Sequence, residues 1–454
     1  MTTAPSPAVL DAIFKAYDVR GVYPDQIDET VARLVGNAFV GFTGAHRVLV
    51  GRDARPSSEP LVEAFVDGAR LAGADVVDLG LASTDLVYFA AGSLDAPAAM
   101  FTASHNPAQY NGIKLCRAGA APVGEETGLL QVKAVVAEGL LERAEETGRV
   151  ERRDLMGPFV SHVRSFVDLA ELRALRVVAD TANGVGGLIV PAVFSGLPME
   201  LSMLFAELDG TFPNHPADPI NPDNLRDLQR EVVAVSADVG LAFDGDADRV
   251  FLVDDRAVPV SGSTTTAMLA RAILEREPGG VVVHNLICSR AVPEVIREAG
   301  GTPVRSRVGH SFIKAVMAET DAVFGGEHSA HYYFRDNFRA DSGIIAALIV
   351  LEQLSKSAVP LSELRKPFER YAASGEVNRR VQDPVAVIEI VARAFASGRQ
   401  DRLDGLTVEF DDWWFNLRPS NTEPLLRLNV EADDAATCAA RTEEVLGIVG
   451  GEAD

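Results

Sequence analysis

The sequence predicts an α/β protein of four domains, three sharing one α/β pattern and the last of α+β type. Two observations carry this expectation. A length of 454 residues, at roughly 150 residues per domain, starts the estimate at about three. Apolar residues at 47% and charged residues at 24% are ordinary for a globular chain able to bury a sizeable core. The second observation is a local pattern that recurs three times: an apolar strand, a loop with Asp, Gly or Asn, an amphipathic helix, and another strand.

In the first copy Val48 to Val50 leads into GRDARPSS, a helix from about Glu59 to Ala72, and a strand from Asp75 to Leu79. In the second, Arg176 to Ala179 leads into DTANGVGG, a short helix, and Glu200 to Leu204. The third runs from Val281 to His284 through NLICSR into a helix reaching about Ala299, then Thr302 to Ser306. Such alternation indicates an α/β architecture, and its repetition suggests related domains. From about Tyr371 the pattern stops. A strand near Glu376 to Val381, a helix near Pro384 to Ala396, three strands between Leu406 and Val430, and a helix near Ala435 to Ile448 make an α+β module. The domains are therefore placed at 1–150, 151–256, 257–370 and 371–454. No low-complexity linker separates them, so they are expected to pack around a central cleft.

Lys and Arg number 42 and Asp and Glu 65, a net charge of −23. That balance repels phosphodiester backbones and anionic lipid, which excludes nucleic acid and membrane surfaces as main partners. It leaves room for a small anionic substrate at a locally basic site. No stretch approaches the ~20 apolar residues of a membrane span; Ile344 to Leu351 reads as a buried helix. The N-terminal residues lack a basic segment followed by an apolar one. Cys116, Cys288 and Cys438 form no CxxC pair, which suggests neither a disulfide frame nor a zinc site. A cytoplasmic protein, monomer or homodimer, is expected.

Four segments carry chemistry. In LAFDGDADRVFLV, Asp244, Asp246 and Asp248 are two residues apart, so an extended backbone would project all three carboxylates to one side. Three adjacent anions need a cation, and hard oxygen ligands suit Mg²⁺. A calcium EF-hand loop is the rival, but its sixth position would be Arg249 instead of Gly, its twelfth Asp255 instead of Glu, and its flanks are strands. In TASHNP, the apolar run Ala96 to Phe101 followed by turns at Asn106-Pro107 and Asn111-Gly112 puts Ser104 at an accessible strand end, where a hydroxyl serves as nucleophile, phosphate carrier or plain turn residue. RPSNTEP, from Arg418 to Pro424, offers an Arg fork, two hydroxyls and turn N–H groups to a phosphate. GGEHSAH follows a strand Ala322 to Phe324; Glu327 and Ser329 can accept from and donate to sugar hydroxyls, and imidazoles can shuttle protons.

With these segments in this order, the chain resembles the α-D-phosphohexomutase family, and most nearly its bacterial phosphomannomutase/phosphoglucomutase branch, from AYDVRG at Ala16 to Gly21 through the RPSNTEP loop. The resemblance implies four domains around a cleft, three with mixed sheets of one topology. It implies that Ser104 is phosphorylated in the active enzyme and that Asp244, Asp246 and Asp248 hold Mg²⁺, with a phosphoserine oxygen completing the site. Arg20, His105, Lys114 and Arg249 match residues around the transferred phosphoryl group. Tyr17 and His310 match substrate contacts, Glu327 and Ser329 the pair for the sugar's 3- and 4-hydroxyls, and His331 a histidine proposed for proton transfer. Arg418, Ser420, Asn421 and Thr422 match the clamp on the phosphate that is not reacting. The implied reaction interconverts hexose 6-phosphate and hexose 1-phosphate through a hexose 1,6-bisphosphate, with Lys114, His331 and Arg20 as candidates for the base.

Some positions depart from the family pattern. Ala103 stands where Gly is frequent, GEHSAH where GEMSGH is common, and Ile287 where many members have Lys, which bears on the ranking of glucose over mannose. Asn421 favours the hexose mutases over the phosphoglucosamine branch. A non-catalytic sugar-phosphate sensor and a phosphatase are the other readings. A sensor is expected to lose Ser104 or one Asp of the metal loop, and all are present.

Overall fold

The computed structural model describes residues 5–420 and 425–453. The first domain is a six-stranded sheet built from β1 (Val19–Val22), β2 (Arg47–Arg52), β3 (Asp75–Leu81), β4 (Ala98–Phe101), β5 (Tyr110–Cys116) and β6 (Val150–Arg152), in the order β1-β5-β4-β2-β3-β6. Strands β4, β2, β3 and β6 run parallel, while β5 returns antiparallel beside β4. The second sheet comprises β7 (Arg176–Asp180), β8 (Glu200–Leu204), β9 (Val239–Phe243), β10 (Val250–Asp254) and β11 (Pro259–Val260), ordered β11-β10-β9-β7-β8. The third comprises β12 (Val281–Asn285), β13 (Thr302–Ser306), β14 (Phe324–Gly326) and β15 (Tyr332–Phe334), ordered β13-β12-β14-β15. Both again combine a parallel core with one antiparallel return, β9 to β10 and β14 to β15. The mixed sheets of the three repeats are as expected.

The fourth domain is antiparallel: β16 (Ala372–Arg380), β17 (Arg399–Asp401), β18 (Leu406–Glu409), β19 (Trp413–Pro419), β20 (Leu425–Ala432) and β21 (Glu452–Ala453), ordered β17-β18-β19-β20-β16-β21. Helices Pro384–Ala394 and Ala435–Val449 pack with it. The short strands β17 and β21 lay below the sequence signal, since three or two residues show no alternation.

Two sequence readings are corrected. Asn111-Gly112 is no turn but lies inside β5, paired with Gly21 and Arg20 of β1. The Asn111 amide is buried and donates to the Ser57 and Ser58 hydroxyls at 2.8 and 3.0 Å, so a turn-forming residue is held in a strand by tertiary partners. The third-domain strand expected at Ala322 to Phe324 runs instead from Phe324 to Gly326, because pairing with β12 and β15 outweighs glycine's weak strand preference.

One continuous apolar cluster joins the first three domains, from Leu49 and Met100 through Val177, Leu241 and Phe243 to Ile345 and Phe368. Its centre is the helix Gly343–Lys356, buried along most of its length as the sequence suggested. No single helix among the described residues is long and apolar enough to cross a membrane. The fourth domain has its own core around Phe395, Trp413, Phe415 and Leu428.

The start of helix Thr84–Ser93 is the polar junction of the first three domains. Thr84 donates its N–H to the Asp246 carbonyl at 3.1 Å and its hydroxyl to Asp246 Oδ2 at 2.6 Å. Asp85 accepts from the Ser83 hydroxyl and, at 2.6 Å, from Ser342, which caps helix Gly343–Lys356. Burial pushes the Asp85 carboxyl up to about 7, against the pull of its two hydroxyl donors. The folded state therefore holds this proton more tightly than the unfolded chain. The resulting stability is complete below pH 3.8 and is lost as pH rises toward about 7. In urea unfolding across that window, Asp85→Asn is expected to gain stability relative to wild type with increasing pH; a pH-independent difference would refute the assignment.

Candidate active site

Three predicted chemical segments are each the loop of an antiparallel hairpin. TASHNP joins β4 to β5, the Asp loop β9 to β10, and GGEHSAH the ends of β14 and β15, while RPSNTEP begins in β19, its described residues being Arg418 to Ser420. The three repeats thus present their loops from equivalent positions.

Ser104 opens its loop with φ +50°, a conformation uncommon for a residue with a β-carbon. Its N–H donates to Thr102 Oγ1 at 2.9 Å. Its hydroxyl donates to Asp244 Oδ2 at 2.7 Å, with Arg249 Nη2 and His105 Nδ1 both at 3.3 Å. The loop is held from behind by Arg55, which sequence reasoning missed. This buried guanidinium donates to the carbonyls of Ser104 (2.8 Å), Asn106 (2.7 Å), Pro107 (2.7 Å) and Tyr110 (3.0 Å), and pairs with Asp53 at 3.0 Å. The only sequence signal was an Asp and an Arg two apart after a strand in GRDARPSS.

The Asp loop corrects a third expectation. Its three carboxylates do converge, with oxygens within 4.8 Å of one another, but through a tight turn with Ala247 at φ +60°, not along an extended strand. At Gly245 the two loops nearly touch: a β-carbon there would lie 2.6 Å from the Ser104 carbonyl oxygen. Lys114, projecting from β5, donates to Asp246 Oδ2 and Asp248 Oδ2 at 2.7 Å each. Arg249 Nε donates to Asp244 Oδ2 at 2.9 Å.

Burial, reinforced by Asp246 and Asp248 and opposed by Arg249, pushes Asp244 up to about 8. Burial also disfavours ionised Asp246, yet Lys114 and Thr84 hold it below the ordinary carboxylate range. For Lys114 burial pulls downward, but the two carboxylates win and raise it well above its usual value. Asp246 Oδ1 and Asp248 Oδ1 are buried without hydrogen bonds. Three carboxylates, two with oxygens free of donors, fit a hard divalent cation such as Mg²⁺, which would restore Asp244 to its ionised form.

A backbone bridge between Arg249 and His331 ties this loop to the third domain. The His331 ring has Nδ1 at 3.0 Å from Ser329 Oγ and 3.6 Å from Glu327 Oε2, and Nε2 at 3.9 Å from Asp248 Oδ1. Glu327 is buried and already accepts from Asn285 Nδ2 (3.1 Å), the Gly309 N–H (3.0 Å) and Tyr333 Oη (2.6 Å). Arg20 donates to Asn106 Oδ1 at 2.7 Å and pairs with Asp18. Burial, with Arg249 and Arg20 nearby, lowers His105 well below its usual value; burial and Lys314 do the same to His310. Tyr17 donates to the Val308 carbonyl at 3.0 Å and its ring lies 5.1 Å from that of His310.

The structure therefore gathers Ser104, His105, Arg20, Lys114, Arg249 and His331 around the Asp loop and pairs Tyr17 with His310. In the fourth domain Arg418 is buried, donates to Glu376 at 2.9 Å, and keeps Nε without a hydrogen bond. The Ser420 N–H donates to the Leu425 carbonyl at 2.8 Å. Asn421 and Thr422 lie outside the described residues. A buried Lys314–Asp341 pair at 2.8 Å, with Asp341 oxygens close to His331 and Asp248, is a further feature the sequence did not signal.

Arg55→Ala strands Asp53 as a buried, unpaired carboxylate and frees four carbonyls. It is expected to cost about 3–5 kcal/mol in denaturant unfolding and to expose the 103–110 segment to limited proteolysis. An unchanged unfolding midpoint would show that the loop does not rely on this residue.

Comparison with known proteins agrees with this arrangement. Family models for phosphoglucomutase/phosphomannomutase match in order: alpha/beta/alpha domain I over residues 11–139, domain II over 157–257, domain III over 261–371, and the C-terminal domain over 376–448. A phosphohexose mutase of Xanthomonas campestris pv. campestris is 40% identical over 443 residues, covering 96% of this chain and 99% of its own. A phosphomannomutase of Escherichia coli K12 is 39% identical over 448 residues, 96% of this chain and 98% of its own. The solved structure of a phosphoglucomutase/phosphomannomutase family protein from Burkholderia thailandensis superposes with a TM-score of 0.88 at 32% identity, covering 97% of this chain and 99% of its own. Matched along nearly its whole length by all four domain models and by relatives this similar, the chain belongs to the phosphoglucomutase/phosphomannomutase family.

Proposed function

We propose that the protein reversibly interconverts hexose 6-phosphates and α-D-hexose 1-phosphates of glucose and mannose by two phosphoryl transfers through Ser104. The observation that carries this reading is the Ser104 hydroxyl bonded at 2.7 Å to one carboxylate of a buried triad, inside a ring of Arg249, Lys114 and Arg20. Phosphorylated Ser104 gives its phosphoryl group to the free 1- or 6-hydroxyl of the sugar. The P–O bond to Ser104 Oγ breaks as that to the sugar oxygen forms, yielding the 1,6-bisphosphate. After the bisphosphate turns over in the cleft, its other phosphate returns to Ser104 Oγ.

Asp244, Asp246, Asp248 and a phosphoserine oxygen would hold Mg²⁺, which when bound offsets negative charge on the transferred group. Arg249 and His105, beside Ser104 Oγ, contact the phosphoryl oxygens, and Arg20 reaches them from Asn106. Glu327 and Ser329 orient the sugar, with Tyr17 and His310 on its flank. Arg418, Ser420, Asn421 and Thr422 hold the distal phosphate and so bring the acceptor in line. A base must take the acceptor proton. Contact with Asp246 and Asp248 keeps Lys114 an ammonium, and the Arg20 guanidinium, paired with Asp18, stays charged, which favours His331.

The test incubates purified protein with Mg²⁺, a trace of hexose 1,6-bisphosphate, and glucose, mannose or glucosamine phosphates in turn. Exchange on glucose and mannose is expected; turnover of glucosamine alone would move the protein to the phosphoglucosamine branch, and phosphate release without isomerisation would make it a phosphatase. Ser104→Ala should lose at least about 10³-fold in kcat, and EDTA should abolish turnover. Persistence after thorough chelation would remove the metal from the scheme.

A further inference from the structure

The fourth domain shares no apolar cluster with the other three among the described residues, so polar contacts attach it. Arg290 of the third domain donates to the Phe410 and Trp413 carbonyls at 2.6 and 3.1 Å, and its N–H to Glu431 Oε1 at 2.9 Å. Arg305 pairs with Asp401 and, at 3.3 Å, with Glu409. One contact reaches the site itself: Asp404 Oδ2 accepts the Val308 N–H at 3.1 Å.

That N–H belongs to a loop gripped from three directions. The Val308 carbonyl accepts from Tyr17 of the first domain at 3.0 Å, and the Gly309 N–H donates to Glu327 Oε1 at 3.0 Å. Gly309 has φ +130°, and a β-carbon there would lie 2.3 Å from the Tyr17 hydroxyl, so the approach admits no side chain. The residue after Asp404, Gly405, packs on Arg418, where a β-carbon would lie 2.7 Å from the Arg418 Cα. The Asp404 carbonyl is fixed by Asn416 Nδ2 at 2.9 Å.

We infer that Asp404 is a positioning residue that clasps the fourth domain to the Val308–His310 loop and so retains the hexose bisphosphate while it reorients. The inference rests on the mutase reading. During reorientation each phosphate must leave its partner, so for that interval the substrate cannot hold the domains together. Contacts between protein groups must do so, and Asp404 joins the loop that meets the sugar to the domain that carries the clamp. Without it the cleft opens more often in that interval, and the bisphosphate escapes, leaving Ser104 unphosphorylated.

The experiment starts from full-length enzyme phosphorylated on Ser104 and mixed with radiolabelled glucose 1-phosphate. Rapid quench gives the first transfer, and chromatography gives the share of bisphosphate released to solution against the share converted to glucose 6-phosphate. Loss of one charged hydrogen bond predicts that Asp404→Ala releases about tenfold more bisphosphate per turnover, with first transfer within about twofold of wild type. Its steady-state rate should then depend on added bisphosphate. Asp404→Asn, which keeps an oxygen for the Val308 N–H, is expected to fall between the two. Wild-type partitioning in Asp404→Ala, or a first-transfer loss as large as the steady-state loss, would overturn the clasp while leaving the mutase reading intact. Wild-type enzyme that forms no bisphosphate would overturn both.

Discussion

Three carboxylates buried within 4.8 Å of one another cannot remain ionised without cations, because desolvation and mutual repulsion both act against their charge. Much of the architecture answers that requirement. Lys114 arrives from the first domain on β5, Arg249 from the hairpin that carries the carboxylates, and the hydroxyl of Thr84 from the start of a first-domain helix. The same residues that neutralise the triad therefore lock the first two domains together and carry Ser104 against Asp244. A change at any of them would be felt both in domain packing and in the position of Ser104.

The hairpin topology explains how three short segments far apart in sequence meet. In each repeat a parallel core is closed by an antiparallel return, and the loop of that return carries the candidate residues: Ser104, the three aspartates, and Glu327 with Ser329. The first three domains share a continuous apolar core, which fixes their loops relative to one another. The fourth has a separate core and is attached through polar contacts such as those of Arg290 and Asp404. An acidic chain with net charge −23 thus sets Lys114 and Arg249 against its Asp loop, and the charge that repels polyanions does not describe the site.

Strong local signals were legible in the sequence. Long elements such as Ala435–Val449 and the buried helix Gly343–Lys356 appear at nearly the expected places because their apolar period is unambiguous over many residues. Short or contradictory signals were not. Asn111-Gly112 has the local preference of a turn, yet two serine hydroxyls and a neighbouring strand hold it in β5. The Asp loop was expected to be extended, and the turn at Ala247 was invisible because nothing about alanine announces a left-handed backbone.

Residue types and their order were enough to identify the repeat and the family, since four motifs in one order are specific together even where each alone has another reading. What each side chain touches was a matter of tertiary packing, within domains and between them. Arg55 behind the Ser104 loop, Thr84 on Asp246, the Lys314–Asp341 pair and Asp404 on Val308 are contacts between segments distant in sequence. No local pattern encodes such contacts, because the free energy that selects them comes from burying charged and polar groups together once the distant segments have met.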